Sequence, residues 1–185
     1  LLQSKKKKIA IIGSRDSSDY AKKISFKVSE ELAANGVIIV SGLALGCDEY
    51  AHKGSLKKGK TISILPSGLK SIYPKANQEL ASQILEHNGC LITEYPLDSK
   101  PNKAFFIERD RLQSGISKSI ILIESKINGG SMKTINFARK QGKEIFCWEH
   151  HNDHKDPEKI SGNLKLLNES DIKSLSSKED LKILY

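Results

Sequence analysis

Apolar residues in this chain come in short unbroken runs separated by longer stretches with helical spacing. Ile9-Ala10-Ile11-Ile12, Val37 to Val40, Thr61 to Leu65, Cys90 to Thr93, Ser119 to Ile123 and Glu144 to Trp148 read as six strands, the first opening at Lys8. Their apolar character on both faces predicts strands buried on both sides. Between them, Ile24, Val28 and Leu32 recur four apart and predict a helix over 20–35, which Gly36 ends. Leu80 and Ile84 mark a helix over 79–87. Met132, Ile135 and Ala138 mark one over 131–141, ended by Gly142. A further helix is expected over 105–115, and another from the turn at Gly46 to about Gly59. Pro96 and Pro101 make 95–102 a loop.

Strand and helix alternate six times. That order predicts an α/β fold of extended Rossmann-like type: a mostly parallel, doubly wound sheet with helices on both faces. Residues 1–8 read as a basic tail, 9–174 as a single domain and 175–185 as a polar tail expected to fray. Asn163 to Leu167 is a short amphipathic piece.

The strand-to-helix turns carry the candidate chemistry. Gly13-Ser14-Arg15, Ser41-Gly42-Leu43-Ala44-Leu45-Gly46 and Asn128-Gly129-Gly130-Ser131 each join small residues to a hydroxyl at the start of a helix, with Lys133 one step into the last. Glycine allows backbone N–H groups to approach an anion, and the helix end adds partial positive charge. In a doubly wound sheet all three turns fall on one edge, which predicts an anion-binding edge. The G-x-x-x-G spacing of the second turn is neither a dinucleotide fingerprint nor a Walker loop.

Composition sharpens the picture of the ligand. The 185 residues carry a formal net charge of +8, which favours an anionic partner such as nucleic acid. Lysine is scattered over helix faces. Arginine is scarce, and Arg15, Arg109 and Arg111 lie near the expected edge, away from Arg139. Two arginines at i and i+2 do not share a helix face, so one is expected to reach a ligand while the other pairs with a carboxylate such as Asp110. No apolar run is long enough for a membrane span, and Ile9 to Ile12 is too short for a signal-peptide core. The expected location is cytoplasmic, and the first residue, Leu, fits a piece cut from a longer protein. Cys47, Cys90 and Cys147 are expected as buried reduced thiols.

In order along the chain stand Ile11-Ile12-Gly13-Ser14-Arg15, Ser41-Gly42-Leu43-Ala44-Leu45-Gly46-Cys47-Asp48 with Ala51-His52, Ile72-Tyr73-Pro74, Thr93-Glu94-Tyr95-Pro96, Arg109-Asp110-Arg111 and Gly130-Ser131. Together they resemble the bacterial DNA-processing protein A family (DprA, also called Smf) over roughly 9–146. The resemblance implies a Rossmann-like domain that binds single-stranded DNA, forms a homodimer and helps load the recombinase RecA during natural transformation. It implies no cofactor, no metal and no catalysis. It assigns DNA or phosphate contact to Arg15, to the N–H groups of the turn holding Ser41, Gly42, Leu43 and Gly46, and to Lys103, Arg109 and Arg111; the reading of the turns adds Gly13, Ser14, Gly130, Ser131 and Lys133. This sequence departs from the family by placing Asp110 between the arginines where the family has Asn.

Single-strand binders pair a basic groove with aromatic surfaces. Tyr73, Tyr95, Phe105, Phe106 and Trp148 are the candidates, with Tyr95 favoured because it sits in a loop. Other chemistries are less well served. The glycine pair at 129–130 is similar to that of the LOG nucleoside-monophosphate phosphoribohydrolases, but the G-T and acid that follow in that family are missing. A sensor of a small signalling nucleotide would use the same edge. His150, His151, Asp153 and His154 match no metal-ligand spacing and read as a solvated loop. His52 reads as a packed histidine supporting its turn.

Overall fold

The structure is a computed structural model and describes residues 1–154 and 156–185. Seven parallel strands form one sheet: β1 (Lys8–Ile12), β2 (Ile38–Ser41), β3 (Thr61–Ile64), β4 (Cys90–Ile92), β5 (Ser119–Leu122), β6 (Glu144–Trp148) and β7 (Ile172–Leu175). Their spatial order is β4-β3-β2-β1-β5-β6-β7. The chain therefore reverses direction of travel between β1 and β5, which pair from Ile9↔Ser119 to Ile12↔Leu122. This is the doubly wound arrangement, with its switch point at the carboxyl ends of those two strands.

Among the described residues, six α-helices cover the sheet: α1 (Asp19–Ala34), α2 (Cys47–Ser55), α3 (Gln78–Glu86), α4 (Lys103–Gly115), α5 (Ser131–Lys140) and α6 (Ser161–Leu167). The period-2 pleat sorts each strand's apolar residues to two faces. Ile9, Ile11, Ile39, Ile121 and Phe146 meet α1 and α2 on one face. Ala10, Ile38, Ile62, Ile120 and Ile145 meet α5 and α6 on the other. A smaller cluster joins Leu43 and Leu65 to Leu80 and Ile84 of α3. The polar surround of α1 begins at Ser18, whose hydroxyl accepts from the Ala21 N–H at 3.1 Å.

The C-terminal segment differs from expectation. Residues 172–175 form β7, and Leu175, Leu181 and Leu184 are buried in the cluster beneath α1. Lys178 reinforces this by pairing with Glu31 of α1 at 2.7 Å. Three leucines spaced among lysines and serines suffice to hold the segment down. At the other end, Lys8 belongs to β1, and Leu1 is half-buried against the core. Cys47 and Cys147 are buried free thiols, as expected, while Cys90 on the edge strand β4 is half-exposed.

Candidate functional site

A cleft of about 740 Å³ opens at the switch point. One wall is Gly13-Ser14-Arg15-Asp16, leaving β1; the opposite wall is Asn128-Gly129-Gly130-Ser131 with Lys133, leading into α5. Lys103, Phe106, Arg109, Asp110 and Gln113 of α4 close it from the side. The walls are tied together. The Ser131 hydroxyl donates to the Gly13 carbonyl at 2.9 Å. The buried Glu124 carboxylate accepts from the Ser18 N–H at 2.9 Å and its hydroxyl at 2.6 Å, fixing the first loop to the end of β5. Asn163 of α6 accepts from the Ser125 N–H at 2.8 Å and donates to the carbonyls of Ile123 and Trp148. Side chains so fully hydrogen-bonded give the loops a preset shape.

Of the thirteen residues named from sequence, eight line this cleft: Gly13, Ser14, Arg15, Lys103, Arg109, Gly130, Ser131 and Lys133. Gly130 has open space where a side chain would stand, and α5 begins with no side-chain cap. The Met132 and Lys133 N–H groups donate to the Gly129 and Gly130 carbonyls at 3.2 and 2.9 Å, which leaves those of Gly130 and Ser131 for an anion.

Ser41, Gly42, Leu43 and Gly46 do not line it, and the expectation of a phosphate seat over 41–46 is corrected by the geometry. The Ser41 hydroxyl donates to the Ile11 carbonyl at 2.7 Å. Leu43, at φ 60°, turns its side chain into the core, and Asn77 donates to its carbonyl at 2.9 Å. The Gly42 N–H donates to Asp48 Oδ2 at 3.1 Å, and the Ala44 N–H also serves that carboxylate. The anion held by this turn is the protein's own Asp48. Gly42 reaches only a side pocket of about 40 Å³ shared with Arg15, Leu45, Tyr73 and Phe106. Gly46, at φ 75°, is pressed against the Ser14 carbonyl, where no Cβ fits.

The arginines divide as the i, i+2 spacing requires. Arg109 is buried at 4% exposure and forms the cleft floor. Its Nη1 donates to Gln113 Oε1 at 2.9 Å and lies 4.0 Å from Asp48, and its Nε lies 3.4 Å from Asp110. Arg111 points away from the cleft and pairs with Glu94 at the surface. Burial raises the Asp48 carboxyl above the ordinary carboxylate range, against the pull of Arg109. Burial likewise pushes Asp110 up to about 6. His52 lies behind the floor. Its Nδ1–H donates to Thr61 Oγ1 at 2.8 Å, because the Thr61 hydroxyl hydrogen is spent on the Ile39 carbonyl. Burial pulls His52 down to about 3, so it is neutral and serves as packing rather than as a base.

A family model described as DNA recombination-mediator protein A matches residues 1–184. The chain belongs to that family. DNA processing protein DprA of Bacillus subtilis is 39% identical over 147 residues, covering 79% of this chain and 49% of the relative. Protein Smf of Escherichia coli is 40% identical over 140 residues, covering 75% of this chain and 37% of the relative. The chain thus spans about half or less of these relatives. A DprA structure from Streptococcus pneumoniae superposes with a TM-score of 0.85 at 32% identity, over 98% of this chain and 62% of that one. DprA from Helicobacter pylori, solved for its single-stranded DNA binding mode, gives 0.85 at 32% identity, over 96% and 80%. A molybdenum cofactor carrier protein from Chlamydomonas reinhardtii, 16% identical with a TM-score of 0.65 over 95% and 92%, shares the fold alone.

Within this DprA/Smf fold the aromatic residues stand differently from the sequence reading. Tyr95 stacks on Phe105 at 3.7 Å between centroids, and its hydroxyl donates to Glu108 at 2.8 Å, so one face is already taken. Trp148 is buried. Phe106 is the aromatic at the cleft mouth. Arg15 lies 4.5 Å over its ring, and Tyr73, 41% exposed, meets its edge at 5.5 Å. Phe106 and Tyr73, both among the candidates, take the place expected of Tyr95, and Gln113 was not anticipated as part of the floor. Phe106 and Gln113 follow from counting turns along α4 from Arg109, since i−3 and i+4 share its face. Among the described residues, no cluster of His, Cys, Asp or Glu is arranged to hold a metal ion, and no helix is long and apolar enough to cross a membrane.

Proposed function

We propose that this chain binds single-stranded DNA by its phosphates, without catalysis, at the cleft between the β1 and β5 loops. One observation carries the reading: Arg15, Lys103 and Lys133 converge there with two glycine turns at the switch point of a DprA-type sheet. Phosphate contacts dominate, because Phe106 and Tyr73 are the main exposed ring surfaces at the mouth. The contacts come from Arg15, Lys103, Lys133 and the turns at Ser14 and Gly130-Ser131, with Arg109 beneath them holding the floor in shape. The wider role is the one the resemblance implies: a cytoplasmic homodimer that protects an incoming strand during DNA uptake and helps load RecA.

Fluorescence anisotropy with single- and double-stranded oligonucleotides, titrated with salt, tests this. Single strands bind more tightly, with a log–log salt slope of about −0.7 per phosphate neutralised. Arg15→Ala weakens binding while leaving the unfolding midpoint near that of the parent protein, because Arg15 is exposed. Preference for duplex, undiminished binding by Arg15→Ala, or displacement of the oligonucleotide by a mononucleotide at equal concentration would overturn the reading.

A further inference from the structure

The positive charge of this protein is not concentrated at the cleft. Around the carboxyl edge of the sheet, beyond Arg15, Lys103 and Lys133 of the cleft, several cations are matched by carboxylates: Lys22 with Asp19, Lys70 with Asp98, Arg111 with Glu94, Lys126 with Glu158 and Lys159 with Asp16. Much of the excess that makes the chain +8 lies elsewhere.

It lies at the opposite edge, where the strands begin. Lys60 precedes β3, Lys8 opens β1, Lys118 precedes β5 and Lys143 precedes β6. Parallel register aligns them. The Lys118 N–H donates to the Lys8 carbonyl at 2.7 Å. Ser119 pairs with Glu144, so Lys118 and Lys143 are neighbours; Ile39 pairs with Thr61, so Lys60 flanks Ile38, itself the partner of Lys8. At about 4.8 Å between strands, four lysines and Ile38 make a continuous rim. Lys7, Lys57, Lys58 and Lys140 border it.

Helix C-termini favour cations, but only within their last turn, and Lys7, Lys60 and Lys118 belong to strand starts. Among the described residues, no ion pair engages Lys7, Lys57, Lys58, Lys60, Lys118 or Lys140. Nearby carboxylates are few and shared: Glu144 bonds Lys173 and also feels Lys118 and Lys7, Glu31 pairs with Lys178, and Glu169 and Asp171 with Arg139. So many unmatched like charges repel one another in the free protein, and a polyanion relieves that repulsion.

We propose that this amino rim is a second nucleic-acid surface, gripping the sugar–phosphate backbone of a strand segment outside the cleft, without regard to sequence. The chemistry favours a phosphate chain over an acidic protein. The row offers ammonium point charges and no buried aromatic or arginine anchor of the kind protein interfaces depend on, and its apolar member, Ile38, is itself buried. Such contacts position a strand and read no bases.

The test compares the parent protein with a variant carrying Lys7→Gln, Lys60→Gln, Lys118→Gln and Lys140→Gln, all exposed positions. On a thirty-nucleotide single strand the variant loses about two to three from its log–log salt slope and binds about tenfold more weakly at physiological salt. On a pentanucleotide it matches the parent, because helices such as α1, about 24 Å long, separate the two edges. Acetylation of the unmodified protein supplies an arm independent of mutation: the long strand protects Lys60 and Lys118, and the pentanucleotide does not. Unchanged binding of the long strand, equal loss on both oligonucleotides, no protection of Lys60 and Lys118, or protection by anionic lipid vesicles alone would overturn the proposal. Failure of the cleft reading shows differently, as Arg15→Ala without effect on the pentanucleotide.

Discussion

Replacing Asp110 by Asn removes a carboxylate from the cleft wall while keeping its shape. In the folded protein that carboxyl rises from the ordinary 3.8 to about 6, chiefly through burial, with Arg109 opposing the rise and Asp48 adding to it. A rise of that size costs about 3 kcal/mol once the group is ionised in both states. Below about pH 4 it is protonated whether the chain is folded or unfolded, and it costs nothing. Between about pH 4 and 6 the unfolded chain sheds its proton first, so stability falls as pH rises. Above about pH 6 the loss is complete. Asp110→Asn is therefore more stable than its parent at pH 8 by up to about 3 kcal/mol, and the gain vanishes near pH 4. Urea denaturation at fixed pH across that range measures it. A gain of the same size at pH 4 and pH 8, or no gain at pH 8, would refute the reasoning. The substitution also lifts oligonucleotide affinity at pH 8, because a like charge leaves the place where phosphate docks.

Three further outcomes follow from the same geometry. In Gly42→Ala the new methyl overlaps the Arg109 guanidinium; displacing it leaves Asp48 buried without its partner, and urea unfolding detects a loss of about 3–5 kcal/mol. Leu181→Ala empties a buried site beneath α1 and lowers stability by about 2–5 kcal/mol in the same assay. Arg111→Ala breaks a half-exposed pair with Glu94; calorimetry finds a change under about 1 kcal/mol, and pentanucleotide affinity falls less than in Arg15→Ala.

The central strands were legible because a strand buried on both faces leaves an unbroken apolar run, as in Ile38-Ile39-Val40 and Ser119 to Leu122. β7 was not. It is an edge strand whose exposed Lys173 and Ser174 dilute the pattern, and only Leu175 is buried. The closing segment was missed for the same reason: Leu181 and Leu184 stand three apart amid charge, a spacing too short to register as a helix. At the site, glycine and hydroxyl residues mark three strand-to-helix turns, and two of the three do line one cleft. The third does not, because sequence reveals the donors and not the acceptor that claims them. Asp48 is that acceptor, reaching back from the first turn of α2. Likewise, the i, i+2 spacing separates Arg109 from Arg111, yet which one turns inward depends on the positions of Asp48 and Gln113, set by packing across the sheet.

Leu175, Leu181 and Leu184 lie against α1, far away in sequence, and that separation bears on how this domain forms. During translation the side of α1 that Leu181 and Leu184 cover stays bare until those two residues have left the ribosome, about 150 residues after α1 itself. For that interval Val28 and Leu32 have an incomplete roof, a state in which nascent chains are prone to stick to one another. A ribosome-bound chain stalled before residue 181 is therefore the form of this protein that chaperones should engage most strongly.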